Sequence, residues 1–396
     1  MRLVDGLENE MYTCSDRQTD RQTDRQTDST VKKRKSNIEL LRIVAMLMIV
    51  MYHYAVYGGW AFTPEMSGNK LFLQLFSCGG KIGVDIFVII TGYFMITSSF
   101  KLKKLWKLVS QIWFYGLLIL AFAVYKHLDS VNFANVVHSV LPLGQTSWFA
   151  YTYLLLYIFI PFLNPCLQGL ERRIYRLGLM LATVIWFLIP TIYNIWPKLP
   201  YLDMGLSPLL MFFYLYALGA YLRMYGHEFF KDKAGKMIVL GFGGILAGYF
   251  LVDFLMIAHH SFEQRVFYFS GDNIFALCAG CGLFVYFAEL NMSYHKYINL
   301  LASTTFGIYL LHDSDLLRTY LWHHVFHNAD LYTSAWLPVH AVSTVLIVFF
   351  CGAVIDYLRI ALFECPFITR LFPLCDRWQE RFRSGAALPS FRTKKP

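Results

Sequence analysis

Charge is what this chain has least of. Only 15% of its 396 residues are Asp, Glu, Lys or Arg, against 57% hydrophobic. A soluble domain of that size could not bury so much apolar surface, so the scarcity excludes a water-soluble fold and requires an integral membrane protein. Metal-ligand spacing is missing as well. Eight cysteines are scattered, and the single CxxC of Cys278 and Cys281, in "FALCAGCGLF", has no second pair; HExxH does not occur. Small residues on a buried helix are expected at that CxxC, and no metal. The amino end is polar and the first apolar run is too long for an h-region, so no cleaved signal peptide is expected. The net charge of +9 comes from Lys and Arg residues lying between apolar runs. Membrane topology accounts for it, with no nucleic-acid partner.

What is present is organised in spans. Residues 1–36 form a separate polar segment, in which "DRQTDRQTDRQTD" (Asp16–Asp28) repeats a tetrapeptide without one aliphatic residue. Such a segment cannot build a core; its composition predicts disorder and a dispensable role. After the basic cluster Lys32–Lys35, apolar runs of membrane-spanning length recur near 38–57, 82–98, 105–125, 148–166, 174–193, 207–225, 237–257, 272–290, 300–322 and 337–358. The expectation is an all-α polytopic bundle of about ten transmembrane helices over residues 37–360, then a basic tail over 361–396. Lysines and arginines gather on one set of flanks, while the opposite set holds few: Lys70, Lys81, Lys126, Lys198 and Arg265. Both termini are therefore expected on the cytoplasmic side.

An ionisable group inside such a bundle costs several kcal/mol, which makes each one a functional candidate. The first span, "NIELLRIVAMLMIVMYHY", carries three: Glu39, Arg42 and His53. Arg42 and His53 are about three helical turns apart, on nearly one face and roughly 16 Å apart along the axis; Glu39 sits one turn from Arg42 and can pair with it. Taken singly, Arg42 reads as a snorkelling cation and His53 as a histidine bonded to a neighbouring helix. Together on one stripe they read as a site. Asp85 is the one acid in "GGKIGVDIFVIITGYFM", and His312 closes "TTFGIYLLH". Counted along their helices, His53, Asp85 and His312 fall at about one depth, either as a site or as structural polar contacts between helices.

"ELLRIVAMLMIVMYHY", "GVDIFVIITGYFM", "TSWFAYTYLLLYIFIPFLNP" and "FGIYLLH", in that order, resemble the membrane-bound acyltransferase family 3. The similarity runs from about residue 36 to 360, and the Arg-x10-His spacing of the first span is its most specific element. The resemblance implies a multi-pass protein of the bacterial cytoplasmic membrane. It would carry an acyl group, commonly acetyl, from acyl-coenzyme A to sugars of surface polysaccharides or related glycans. It also implies functional roles for Arg42, His53, Asp85, Trp148 and His312. Where many relatives carry Arg-x-x-Arg after the second or third helix, this chain has "KLKKLWK".

Acyl transfer to a hydroxyl needs a base, and imidazole, with an ordinary pKa of about 6.5, suits it. His53 is expected as that base, or as a transient acyl carrier. Asp85 or another carboxylate would orient its ring. Arg42 with Lys103, Lys104 and Lys107 is expected to hold the phosphates of coenzyme A, the pantetheine arm running from Arg42 towards His53. Trp148 is either an interfacial anchor or a stacking platform for a sugar, with Tyr151 beside it. Asp315 and Arg318 follow His312 at helical spacing. Either that helix stays intact and lines an acceptor cavity, which is the expectation adopted, or it ends just after His312. Acetyl-CoA is thus the expected donor and a glycan or lipid-linked sugar the acceptor, within surrounding membrane lipid. The rival reading is a secondary transporter or flippase of a sugar or lipid-linked glycan, which also places ionisable groups at membrane depth. The paired broken helices of such transporters have no counterpart here, since Arg-x10-His and "GVDIF" each occur once.

Overall fold

The structure, a computed structural model, describes residues 35–63, 65–141, 147–196, 202, 206–226, 228–258 and 266–364. The RQTD repeat, Lys198, Arg265 and the tail from residue 365 lie outside the described residues. Among the described residues there is no strand. The helices are α1 (Ser36–Val56), α2 (Gly68–Ser77), α3 (Gly79–Met95), α4 (Leu102–Tyr125), α5 (Phe133–Val140), α6 (Trp148–Gln168), α7 (Arg172–Thr183), α8 (Ile189–Tyr193), α9 (Pro208–Tyr225), α10 (Glu228–Lys231), α11 (Ala234–Ala258), α12 (Ile274–Glu289), α13 (Lys296–Ser303), α14 (Thr305–His312) and α15 (Leu337–Arg359).

Local chemistry sets several of the starts. The Ser67, Asn132, Ser207 and Asn273 side chains accept hydrogen bonds from backbone N–H groups of the first turns of α2, α5, α9 and α12. Pro208 opens α9, where a missing N–H costs nothing. Between α7 and α8 the helix continues through a π-turn at Val184–Leu188, just before Pro190. That is where a ring without an N–H would break an α-helical ladder.

Among the described residues, seven helical units are long and apolar enough to cross a membrane: Ser36–Val56, Gly68–Met95, Leu102–Tyr125, Trp148–Gln168, Arg172–Tyr193, Ala234–Ala258 and Leu337–Glu364. The other three expected spans are helical over α9, α12 and the broken pair α13–α14, but fall outside that set. Tyr214, Tyr216, Tyr221, Tyr225 and Arg223 dilute α9, and α12 has only 16 residues. The second span also starts earlier than expected, at Gly68, with a joint at Cys78. Lys70 and Gln74 had hidden that first half by breaking the apolar run.

Helix α3 is the centre. It packs against α1, α9 and α12, and most of the apolar stretch that contains it is buried, whereas most of Leu102–Tyr125 is not. Two glycines permit the tightest crossing: a β-carbon at Gly92 would strike the Tyr216 carbonyl, and one at Gly219 the Ile89 carbonyl. The periphery is apolar and exposed. Along α15, Val339, Val342, Leu346, Phe350 and Val354 form one exposed stripe at helical spacing. In water such a stripe would drive aggregation, whereas in a bilayer it faces lipid.

One of the flanking lysines lies inside the bundle. Lys70 is buried, 3.3 Å from Asp253 on α11, with Gln74 donating to the same carboxylate at 3.1 Å. A buried ammonium needs an opposite charge, and the Asp253 carboxylate supplies one.

Candidate functional site

His53 and His312 meet. His53 lies in the last turn of α1 and His312 is the last residue of α14; His53 Nδ1 is 2.8 Å from His312 Nε2, and both rings are buried. The other nitrogen of His312, Nδ1, lies 2.6 Å from the Ile308 carbonyl one turn back. A carbonyl only accepts, so His312 Nδ1 carries the proton and its Nε2 is the acceptor. His53 Nδ1 is then the donor, and His53 Nε2 is left with its lone pair. Both nitrogens of His312 are therefore occupied, while His53 keeps one basic atom.

That atom faces Asp313, whose Oδ1 is 3.6 Å away, beyond hydrogen-bond range but close for a charge. Asp313 is fully buried. Arg318 holds the same oxygen from Nε at 3.1 Å and Nη2 at 2.7 Å, leaving Oδ2 buried without a partner. The guanidinium also pairs with Asp315 at 2.9 Å and lies 4.2 Å from the ring centre of Tyr57, in the turn after α1.

This arrangement exists because the ninth expected span does not continue to residue 322. Helix α14 stops at His312, and Asp313 takes φ −110° and ψ 37°. The chain then turns through Ser314, whose carbonyl accepts from Leu317 N at 3.0 Å and Arg318 N at 2.8 Å. In an intact helix Asp313 would point about 100° away from His312. Its own N–H still donates to the Tyr309 carbonyl at 3.1 Å, while its carboxylate lies beside the imidazole of His53 and under the Arg318 guanidinium.

Asp85 stands apart. No hydrogen bond or ion pair joins it to His53 among the described residues; it is buried towards α12, where a β-carbon at Gly280 would lie 3.2 Å from its own, and its Oδ1 has no partner. One turn earlier, Lys81 pairs with Asp272 at 3.0 Å and sits 4.9 Å over the ring of Trp148. Trp148 thus presents one face to an ammonium of α3. Tyr151, on the next turn of α6, is partly exposed.

At the other end of α1, Arg42 lies 3.7 Å from Glu39, as their spacing suggested, with Glu39 buried and the arginine side chain 35% exposed. Between Arg42 and His53 the shared face carries Met46 and Ile49, both buried. Of the three lysines, Lys107 pairs with Glu364, which also accepts from Arg359 Nη1 at 2.7 Å. Lys103 and Lys104 stand at the start of α4, Lys104 exposed and Lys103 less so. A second buried acid, Asp356, accepts from Tyr115 at 2.7 Å and Arg359 Nε at 2.6 Å. Sequence patterning passed over Asp313, Tyr57, Asp253 and Asp356. For Asp313 the one signal was its place directly after His312 in "LLHDSD".

No group of three or more His, Cys, Asp or Glu side chains suited to a metal ion occurs among the described residues. Residues 35–357 match a family model described as an acyltransferase domain, that of acyltransferase family 3. No curated protein matches the chain. No solved structure matches it either.

Proposed function

The chain belongs to acyltransferase family 3 and is a membrane acyltransferase; from that premise we propose that it moves an acyl group, acetyl in the simplest case, from acyl-coenzyme A to a hydroxyl of a surface polysaccharide or related glycan. Family membership favours acyl transfer over the transport reading. In this proposal the protein lies in the bacterial cytoplasmic membrane. Its spans number ten and both ends are cytoplasmic, as the Lys and Arg distribution suggests.

The observation that carries the proposal is the buried His53–His312 pair, with one nitrogen of His53 left basic. The acceptor hydroxyl gives its proton to His53 Nε2 as its oxygen attacks the thioester carbonyl carbon. The new C–O bond forms, the C–S bond breaks, and the proton passes from Nε2 to the departing thiolate, giving the O-acyl glycan and free coenzyme A. Such base assistance contributes about 10²–10⁴-fold. Arg42, two-thirds covered yet reaching solvent at the far end of the same helix, supplies a cation for the donor's phosphates. Lys103 and Lys104 add to it, and Lys107 does so once Glu364 yields. The apolar stretch of Met46 and Ile49 is the path along which the pantetheine arm would lie, flexible Met46 giving way to it.

On the acceptor side, Trp148, Tyr151 and Asp315 are assigned to sugar contact, and Glu39 to steadying Arg42. Asp85 is assigned to the acceptor side too, its unpartnered oxygen suited to a sugar hydroxyl. The test uses the purified full chain in nanodiscs, with thiol release from acetyl-CoA as the readout, and mass analysis of surface glycans with and without the gene. Thiol release that stops in His53→Ala supports the reading. Release unchanged in that variant, or glycans of unchanged mass in the gene's absence, overturns it.

A further inference from the structure

We propose that Asp313, clamped by Arg318, is a positioning residue of this site: it stands as the counter-charge beside His53 Nε2, the nitrogen that the histidine pair leaves free, and stabilises the imidazolium formed there during transfer. The inference rests on the reading of His53 as the base and adds its counter-charge.

The hydrogen-bond chain leaves no choice of nitrogen. The Ile308 carbonyl takes the Nδ1 proton of His312, His312 Nε2 takes the Nδ1 proton of His53, and only His53 Nε2 is free to accept another. When the acceptor's O–H bond breaks and its proton arrives at Nε2, the ring becomes a cation in a buried setting. Such a cation is costly unless an opposite charge stands by. The titratable and charged groups around it are Tyr52 and Tyr57 near its own end of α1, Tyr309 and His312 on α14, and Asp313 with Arg318 in the turn beyond. Among these only Asp313 brings a negative charge within 4 Å of Nε2, at 3.6 Å.

Arg318 has two effects on that charge. Its Nε and Nη2 both donate to Oδ1, which holds the carboxylate beside the ring. Arg318 is itself held by Asp315 and by stacking on Tyr57, so the clamp is anchored to the turn after α1 as well as to its own segment. As a cation near His53, it also opposes the imidazolium. Asp313 and Arg318 therefore act on His53 with opposite signs.

The experiment measures acetyl-CoA hydrolysis by the full chain in nanodiscs, water standing in for the acceptor hydroxyl, as kcat and KM against pH. A base must be neutral to act, so its rate falls as pH drops through its protonation. Asp313→Asn is expected to lower kcat about 100-fold, to leave KM for acetyl-CoA within about twofold, and to move the acid limb to lower pH, since the imidazolium has lost its counter-charge. Arg318→Gln moves the limb to higher pH, and Asp313→Glu recovers part of kcat. A kcat and acid limb unchanged in Asp313→Asn overturn the inference. Should Asp313→Asn fail to fold, an unmoved limb in Arg318→Gln overturns it instead. His53→Ala separates the two levels. Full hydrolysis in that variant sinks the reading of His53 as base, whereas loss there with an unchanged Asp313→Asn sinks only the assignment of Asp313.

Discussion

His53 and His312 are 259 positions apart in sequence, yet Nδ1 of one lies 2.8 Å from Nε2 of the other, and both rings are buried. The contact joins the first long helix to the broken segment near the end of the chain. It fixes the carboxyl end of α1, as Asn37 fixes the amino end by donating to the Phe287 carbonyl at 2.8 Å.

The two histidines are expected to behave as one unit. His312→Ala strands the Nδ1 proton of His53 and frees its ring, and should lower acetyl-CoA turnover about 10–100-fold. His53→Ala should remove the base term entirely. The double variant should then fall no further than His53→Ala alone, because groups acting through one another are not additive. Initial rates of thiol release for the three variants decide it; independent, multiplying losses would contradict the pairing.

Arg42 should act on the donor and leave the chemistry alone. Arg42→Ala is expected to raise KM for acetyl-CoA about tenfold with kcat little changed, the cost of one charge-assisted phosphate contact. Arg42→Lys should keep the charge but lose the fork, recovering part of the affinity. Titration calorimetry with coenzyme A checks both, and His53→Ala should bind coenzyme A as the unaltered chain does.

The α3–α9 crossing should tolerate nothing larger than glycine. Gly219→Val sets a branched side chain against the Ile89 carbonyl, and overpacking of this kind costs about 1–3 kcal/mol. A thermal melt in detergent should show a lower midpoint, while Gly178→Ala on α7, with open space beside it, should melt as before.

The buried Lys70–Asp253 pair makes a prediction of opposite signs. Asp253→Leu alone leaves the Lys70 ammonium without its carboxylate and should destabilise the protein by about 3–5 kcal/mol. Adding Lys70→Met should restore most of the loss, since an apolar pair of similar volume avoids the desolvation cost. Melting midpoints of the single and double variants make the comparison; a double variant as weak as the single would show that the pair is not the reason.

Much of this was legible in the chain. Long apolar runs separated by basic flanks can form only helices across a bilayer, because every backbone N–H and C=O must be satisfied within the segment. The seven spans that length and apolarity establish were therefore visible in advance, the second only in its later half, as was the Glu39–Arg42 pairing from its helical spacing. Spans diluted by polar groups were harder. Lys70 and Gln74 concealed α2, because a buried polar residue resembles a loop residue until its partner is known, and that partner, Asp253, is 183 positions away.

The site divides along the same line. By itself the sequence determined that His53 and His312 would lie inside the membrane domain and that Arg42 and His53 would share a helix face, since periodicity and hydropathy are properties of one segment. Only the tertiary structure decided that the two imidazoles touch, that Asp313 and not Asp85 stands beside them, and that Lys107 is engaged by Glu364. Each of those outcomes depends on where a helix stops or which neighbour it packs against. A one-residue change in a helix end turns a side chain by about 100°, and no local pattern encodes that.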